Sequence, residues 1–593
     1  MSPLPFIKPT AVTVKVSFAN NCDDVQLTWR TLDGQDKDSP VEGCIGFMIE
    51  RQRRIGSADW TASEILRNRV GFDATGIDPN KPETLSQPSN VWPFQRYDWT
   101  EHGANNNESV RYRISCMGKN AASAIGKTVL DVIAQSQWTN EIKINAMADD
   151  DLEVYFNRGA VMSQYVARIA REKNWSADDI SKNVKILQEP LRIFLSGELR
   201  LAILRLLDAA IQNPFLDIHA SLFELGDLEL ISKLKLLGSR AHVILTDGSN
   251  SKKQDGHTIY IDENEEVRGE LKIAGVDVYD RILAKLGLGH NKMLITVDNR
   301  TDKAISVWTG STNWTPTGLC TQLNNGILIK NTTEAGLYYE YWKELKAAGS
   351  DFPPALVTFN GNQPKLEGNI QTWFTRTEKA ADGVTPVDIK FLQNLVNNAK
   401  SSILYVMFQP GGEPLGSIVA QSKKAGMYVR GVVSTVIKTN EENFSLNDEQ
   451  GQKPYTTDLK QPDGIAKDFA WWVKEVTRGI FISQIGYAIT HAKMIVIDAF
   501  GDNPIVVTGS HNFSKSASQG NDENFVVITG NKALARHYAV ACISTFEHYR
   551  WRAYKADKKA ANQNVWSHLN PDPAWQQSYL KNDRLIRQLQ EWC

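Results

Sequence analysis

Apolar and polar positions alternate along the first quarter of the chain. VTVKVSF (13–19), DVQLTW (24–29), IGFMIER (45–51) and VRYRISCM (110–117) put successive side chains on opposite faces, as half-buried strands do. Gly-, Asp- and Asn-rich stretches separate them, and the insert over 52–108 is long and polar. Trp29 and Tyr112 fall where a β-sandwich carries a core tryptophan and a corner tyrosine. An all-β sandwich is expected over residues 1–147.

From about residue 150 the period changes. VYFNRGAVMSQ (154–164) predicts a strand, a glycine turn and a helix, and SGELRLAILRLLDAAIQ (196–212) carries Leu and Ile at helical spacing. SLFELGD (221–227) leads into the helical LELISKLKLLGS, AHVILTD (241–247) reads as a buried strand, and VDVYDRI (276–282) follows. A similar order returns later. FLQNLVNNAKSS (391–402) is helical, ILYVMFQ (403–409) a strand, SIVAQSKKAG (417–426) helical, and MYVRGVV (427–433) a strand before a polar loop. This alternation predicts an α/β fold class. Two copies about 200 residues apart are too few and too long for a solenoid, so they predict two duplicated lobes forming one bilobal unit. The expected division is a first lobe over 148–348, a Pro- and Gly-containing linker over 349–372 and a second lobe over 373–550. Residues 551–593 are expected to form helices packed on the second lobe, with Trp551, Trp566, Trp575 and Trp592 filling core.

Composition adds limits. The 593 residues contain 42% hydrophobic and 23% charged side chains, ordinary for globular protein, and can bury several cores. A net charge of -2 neither draws the whole chain to nucleic acid nor forbids a local basic groove. None of the six cysteines forms a CxxC pair, which argues against a cysteine zinc site. Their sparseness suits a reducing compartment, with a disulfide among Cys22, Cys44 and Cys116 left open. The opening MSPLPFIKPTAV lacks the apolar core of a signal peptide, and no run of about 18 apolar residues exists. A cytoplasmic location is expected.

The chemistry sits in a repeated motif. HNKMLITVDN begins at His290 and HAKMIVIDAF at His491. Residues i and i+2 of a strand share a face, so His290 with Lys292, and His491 with Lys493, can point together. Each copy runs on to Gly-Ser-x-Asn: Gly310, Ser311 and Asn313, then Gly509, Ser510 and Asn512. A further polar cluster follows about ten residues on, as Gln322/Asn324 and as Asn521/Glu523/Asn524.

His-x-Lys-x4-Asp followed by Gly-Ser-x-Asn resembles the phospholipase D superfamily, over roughly residues 150–550. The second copy matches in full, with His491, Lys493, Asp498, Gly509, Ser510 and Asn512. The first departs, because Asp298 is one residue late. That shift moves the aspartate to the other strand face unless a bulge or strand end absorbs it. The resemblance implies catalysis by His290, Lys292, Asp298, His491, Lys493 and Asp498. One histidine attacks phosphorus and forms a phosphohistidine; the other protonates the leaving oxygen and then activates water. It places His290 as nucleophile and His491 as acid, with the reverse assignment open. Lysines neutralise phosphate oxygens, and Ser311, Asn313, Ser510 and Asn512 donate to developing charge. Glu523 either fixes a histidine tautomer or is a surface carboxylate. No metal and no cofactor is expected.

Other residues receive plainer readings. His511 is structural or rims the substrate; Arg158 is a candidate phosphate contact. Glu224 and Asp227 follow a predicted strand and are read as a solvated loop ahead of a place lining the cleft. His102, His219, His242, His257, His537, His548 and His568 lack ligand spacing and are taken as structural. The expected partner is a phosphodiester, phospholipid first and nucleic acid second, with peripheral membrane contact and a monomeric chain. A third reading is a phosphate-sensing adaptor. The N-terminal segment resembles a fibronectin type III or immunoglobulin-like domain, which implies recruitment of a protein partner.

Overall fold

The computed structural model describes residues 3–73, 86–120, 124–159, 173, 175, 177–248, 251–254, 257–283, 287–361, 365–381, 383–433, 459–460, 490–560 and 568–593. The chain divides into two compact units, Met1–Asn145 with Asn562–Cys593, and Ala146–Ala561.

The first unit holds two larger antiparallel sheets and a two-stranded pair at Arg67–Asn68 and Gln87–Pro88. One runs β1 (Thr13–Asn20), β2 (Val25–Leu32) and β5 (Asp98–Glu101). The other contains β3 (Gly46–Ile55), β4 (Glu64–Ile65), β6 (Glu108–Gly118), β7 (Asp131–Gln135) and β8 (Ile142–Lys143), in the order β8-β6-β3-β4 with β7 beside β6. Alternate residues of both sheets meet in one core: Val25, Leu27 and Trp29 from the first, Phe47, Ile49, Tyr112 and Ile114 from the second. The Tyr112 hydroxyl donates to Glu101 Oε2 at 2.9 Å. Trp575, Leu580 and Leu589 belong to this same core. They come from helices α8 (Trp575–Leu580) and α9 (Asp583–Trp592). The C-terminal helices therefore complete the β unit rather than cover the second lobe. The Gln576 side chain explains their placement, since its Nε2 donates to the carbonyls of Val41 and Cys44. All six cysteines are free thiols, so no disulfide joins Cys22, Cys44 and Cys116.

The second unit contains two larger sheets. The first is built from β9 (Leu152–Phe156), β10 (Leu216–Leu222), β11 (Ala241–Thr246), β12 (Asp277–Arg281), β13 (Lys292–Asp298), β14 (Lys303–Gly310) and β15 (Asn325–Ile329), in the order β9-β15-β14-β13-β10-β11-β12. The second is built from β16 (Lys365–Glu367), β17 (Ile370–Thr375), β18 (Ser402–Met407), β19 (Tyr428–Val433), β20 (Leu459–Lys460), β21 (Met494–Ile497), β22 (Ile505–Gly509) and β23 (Glu523–Thr529), in the order β16-β17-β23-β22-β21-β18-β19-β20. Apart from the extra β16, the two orders superimpose strand for strand. Directions agree too: β10 and β11 are parallel, as are β18 and β19, while β10–β13 and β18–β21 are antiparallel.

Helices cover these sheets: α1 (Pro190–Gln212), α2 (Leu228–Leu237), α3 (Thr332–Ala348), α4 (Pro354–Gly361), α5 (Val387–Asn397), α6 (Leu415–Ser422) and α7 (Lys532–Ala560). Residues 349–372 are not a linker, because α4, β16 and the start of β17 lie there. The helix α7 also runs through residue 551, the boundary expected for a separate tail. Two expectations, a helix in 160–164 and the polar loop after 433, fall outside the described residues, as does Trp566. No helix among the described residues is long and apolar enough to cross a membrane.

Candidate active site

The two His-x-Lys motifs open the matching strands β13 and β21, and backbone pairing crosses between the halves there. The amide of His290 donates to Asp522 O at 2.9 Å, and that of His491 donates to Leu323 O at 3.0 Å. Gly289 bridges Asp522, and Leu323 bridges Thr490, both in parallel sense. Each motif is thus stitched to the strand start of the other half.

The contacts around this seam come in related pairs. Thr309 Oγ1 donates to Asn524 Oδ1 at 2.6 Å, while Asn325 Nδ2 donates to Thr508 Oγ1 at 2.8 Å. The Tyr338 hydroxyl reaches Asn524 at 3.0 Å, and the Tyr538 hydroxyl receives Asn325 Nδ2 at 3.1 Å. These polar groups are fully buried and satisfy one another, so the seam is a specific register rather than a greasy contact.

The histidines lie on the seam, each about 4% exposed. Phe223, just after β10, meets the His290 ring edge-on with centroids 4.7 Å apart; Phe408, just after β18, meets His491 at 4.7 Å. Lys292 Nζ donates to His290 O at 2.7 Å and lies over Phe223; Lys493 Nζ donates to His491 O at 2.5 Å and lies over Phe408. The ammonium groups are held at the seam by their own histidines' carbonyls and by an aromatic face.

Orientation of each ring comes from the opposite half. His290 Nδ1 lies 3.2 Å from Glu523 Oε2, and Asn521 Nδ2 donates to Glu523 Oε1 at 2.8 Å. His491 Nδ1 lies 2.9 Å from Asn324 Oδ1. The Asn324 amide cannot flip freely, because its Nδ2 donates to Gly318 O and its Oδ1 also accepts from Ser311 Oγ. Asn324 Oδ1 makes His491 Nδ1 the protonated nitrogen, and Glu523 beside His290 Nδ1 favours the same tautomer there, with the lone pair on Nε2. Glu523 is buried at this seam and is not a surface carboxylate.

Burial dominates the electrostatics. It lowers His290 to about 4, helped by the charge of Lys292. It lowers His491 well below the usual histidine range, with Lys493, Lys292 and His290 adding to the effect. Burial also brings Lys292 down to about 7 and pushes Lys493 down. For Glu523 burial acts upward, but His290 and the Asn521 amide outweigh it and hold the carboxyl at about 2. Two imidazoles with depressed proton affinity and two buried lysines make a seam that favours a bound anion.

The remaining expected residues divide. Ser311 and Ser510 are buried, and their hydroxyls accept from the amides of Asn325 and Asn524. They set the Gly-Ser-x-Asn turns rather than face a ligand. Asn313 Nδ2 donates to Glu224 Oε2 at 2.8 Å, and the Asn512 Oδ1 atom is buried without a partner.

Asp298 and Asp498 do not join the site. Lys292 begins and Asp298 ends β13, while Lys493 precedes and Asp498 follows β21, so extended geometry carries each aspartate to the far end. Asp498 accepts from the amides of Lys400, Ser401 and Ser402, and so ties the end of β21 to the start of β18. Asp298 pairs with Arg300 at 2.6 Å near the surface. The position seven after His290 is Val297, buried in β13, which continues where its counterpart strand stops. A bulge does occur between Thr296 and Val297, but its extra residue is Ile305 on β14, so Asp298 is not restored.

Glu224 is the residue that sequence reading underweighted. It binds Asn313 and feels both Lys292 and Lys493; burial and then Glu263 push it up to about 7. Its neighbour Asp227 is structural, capping α2 and pairing with buried Arg192 at 2.8 Å. His511 is structural as well. Its Nδ1 accepts from Phe513 N, and its Nε2 lies 3.2 Å from Asp388 in the second half's interior. Arg158 stacks on Phe194 at 4.8 Å.

Residues 392–542 match the family model described as "Cardiolipin synthase, PLD-like domain". The chain carries a PLD-like domain. No curated protein matches. Among solved structures, a phosphatidylserine synthase of Haemophilus influenzae is 14% identical, aligned over 67% of this chain and 92% of that one, with a TM-score of 0.39. Nuc, a phospholipase D family member of Salmonella typhimurium, is 20% identical over 31% of this chain and 92% of its own, with a TM-score of 0.18. A polyphosphate kinase of Porphyromonas gingivalis is 11% identical over 55% of this chain, with a TM-score of 0.34, and the match spans only 45% of the kinase.

Proposed function

We propose that the protein is a phosphodiesterase of the phospholipase D type, working through a phosphohistidine on His290. The crossed pairing of His290 with Glu523 and of His491 with Asn324 carries the reading. A nucleophile must be neutral and oriented; His290, held near 4 and set by a carboxylate, meets both needs. Attack by Nε2 on phosphorus leaves a ring that is positive until water displaces it, and Glu523 balances that charge. His491 faces a neutral amide, which lets the ring gain and release a proton. The phosphodiester anion lies between Lys292 and Lys493. Its negative charge raises His491 from its depressed value, so the acid forms only when substrate is present. His491 then protonates the departing oxygen and takes a proton from the water that cleaves the phosphohistidine.

The two lobes read as a duplication, and their shared strand order supports it. Phospholipid is the proposed substrate class, with nucleic acid as the outcome to separate from it. The first unit is proposed as a fibronectin type III-like sandwich that recruits a protein partner.

The test uses the full chain in chelator, with phosphatidylcholine or cardiolipin vesicles, single- and double-stranded DNA, and a bis-aryl phosphodiester. Release of phosphatidate with trapped phosphate on His290 is expected. Strand scission instead moves the substrate to nucleic acid. No turnover of any substrate, unchanged in His290→Ala and His491→Ala, removes the enzymatic reading in favour of a phosphate-sensing adaptor.

A further inference from the structure

At the far end of the first sheet from His290, three side chains gather that the phosphodiester chemistry does not use. Asp217 and His219 lie two apart on β10 and so share a face. Parallel pairing sets His219 beside His242 on β11, and His242 beside Asp277 on β12. The His219 and His242 rings stack with centroids 4.4 Å apart, walled by Tyr339 and Trp342 of α3. One potential ligand atom from each of Asp217, His219 and His242 lies within 4.8 Å of the others.

We propose that Asp217, His219 and His242 bind a divalent cation of the zinc class. Three independent features support this. First, His219 is 7% exposed and its Nδ1 is buried without a hydrogen-bond partner. An orphaned imidazole nitrogen is costly unless something fills its lone pair or takes its proton. Second, His242 Nε2 lies 3.6 Å from Asp217 Oδ2. That is too long for a hydrogen bond, yet close to the roughly 3.3 Å between two ligand atoms on one tetrahedral zinc. Third, the supporting contacts are already made. His242 Nδ1 lies 3.1 Å from Asp277 Oδ2, which turns its Nε2 toward Asp217. Asn299 Nδ2 donates to Asp217 Oδ1 at 2.8 Å. A carboxylate behind a ligating histidine fixes its tautomer and raises its basicity.

Two imidazoles and one carboxylate suit zinc better than magnesium or calcium, which prefer all-oxygen shells. Asp217 and His242 are partly exposed, so a solvent molecule can complete the shell. Six residues of strand separate Asp217 from Phe223, or roughly 20 Å. The ion would clamp β10 to β11 and take no part in the reaction.

Tag-free full-length protein is stripped with chelator, dialysed, and titrated with zinc chloride by calorimetry and elemental analysis. One zinc per chain and a higher Tm are expected, because ligand binding to the folded state stabilises it. Cobalt in place of zinc should give a visible d–d band. His242→Ala should abolish both, and Asp277→Asn should weaken zinc by about 10–100-fold. Should His242→Ala fail to fold, the cobalt band and stoichiometry of the unmodified chain still decide. Zinc at background level with no Tm shift overturns the proposal. Equal stoichiometry in folded His242→Ala overturns it too.

Discussion

The two halves of the second unit share seven strands in one order, yet they offer their histidines different company. His290 is faced by a carboxylate, His491 by an amide. The residues responsible, Glu523 and Asn324, occupy matching places, one at the start of β23 and one just before β15. Phe223 is followed by Glu224, whereas Phe408 is followed by Gln409. Two sheets of one strand order deliver two rings to one seam, and unlike residues at matching places give those rings unlike partners. Because the partners cross over, an acidic residue in the second half serves the histidine of the first.

The largest test of that asymmetry removes each ring. His290→Ala should lower turnover by at least about 10³-fold with every leaving group. His491→Ala should cost about 10²–10⁴-fold with an alkoxide leaving group, but little with a nitrophenolate, which departs without a proton. Equal losses on both substrates would mean the halves are interchangeable. Next come the orienting side chains. Glu523→Gln should cost about 10²-fold and Asn324→Ala about ten-fold, as a charged contact outweighs a neutral one. The reverse ranking would make His491 the nucleophile.

Stability against pH gives a smaller effect. The unfolded chain binds protons near 6.5 that His290, at about 4, refuses while folded. Stability therefore falls as pH drops from about 6.5 toward 4. Glu523 adds a loss only below its ordinary value, as pH falls toward about 2. A Tm series should show the first decline, and His290→Asn should flatten part of it; His491, His219 and His537, also depressed, keep the rest. Smallest is the contrast of the two aspartates. Asp498→Ala should lose about 1–2 kcal/mol by denaturant midpoint, since three amides lose their acceptor. Asp298→Ala should leave the midpoint unmoved. Neither should change the chemical step.

Much of this was readable from the chain. The His-x-Lys pairs lead straight into strands because an apolar run follows each. Asn324 and Glu523 stood out as unlike residues at like positions, though their crossing to the other half depends on long-range register. The aspartates misled because a seven-residue spacing along an extended strand spans its length. Glu224 looked like loop because FELGD is polar and short; only its bond to Asn313, some ninety residues on, draws it inward. Residues 349–372 read as linker because Pro and Gly there mask a short helix and a hairpin. Trp575 gave no hint of its destination, as an apolar helix face does not name the sheet it will cover.

The crossed partners also say what a fragment of this chain could do. A piece ending before β16 keeps His290 and Lys292 but loses Glu523. A piece starting there keeps His491 and Lys493 but loses Asn324. Neither half is a smaller enzyme, and each alone should be inert. Mixed together they should gain rate as the product of their concentrations, until the seam is saturated. The covalent chain avoids that dependence by holding its second half at a fixed, high effective concentration. Dilution, which would silence an assembly of two separate halves, leaves it untouched.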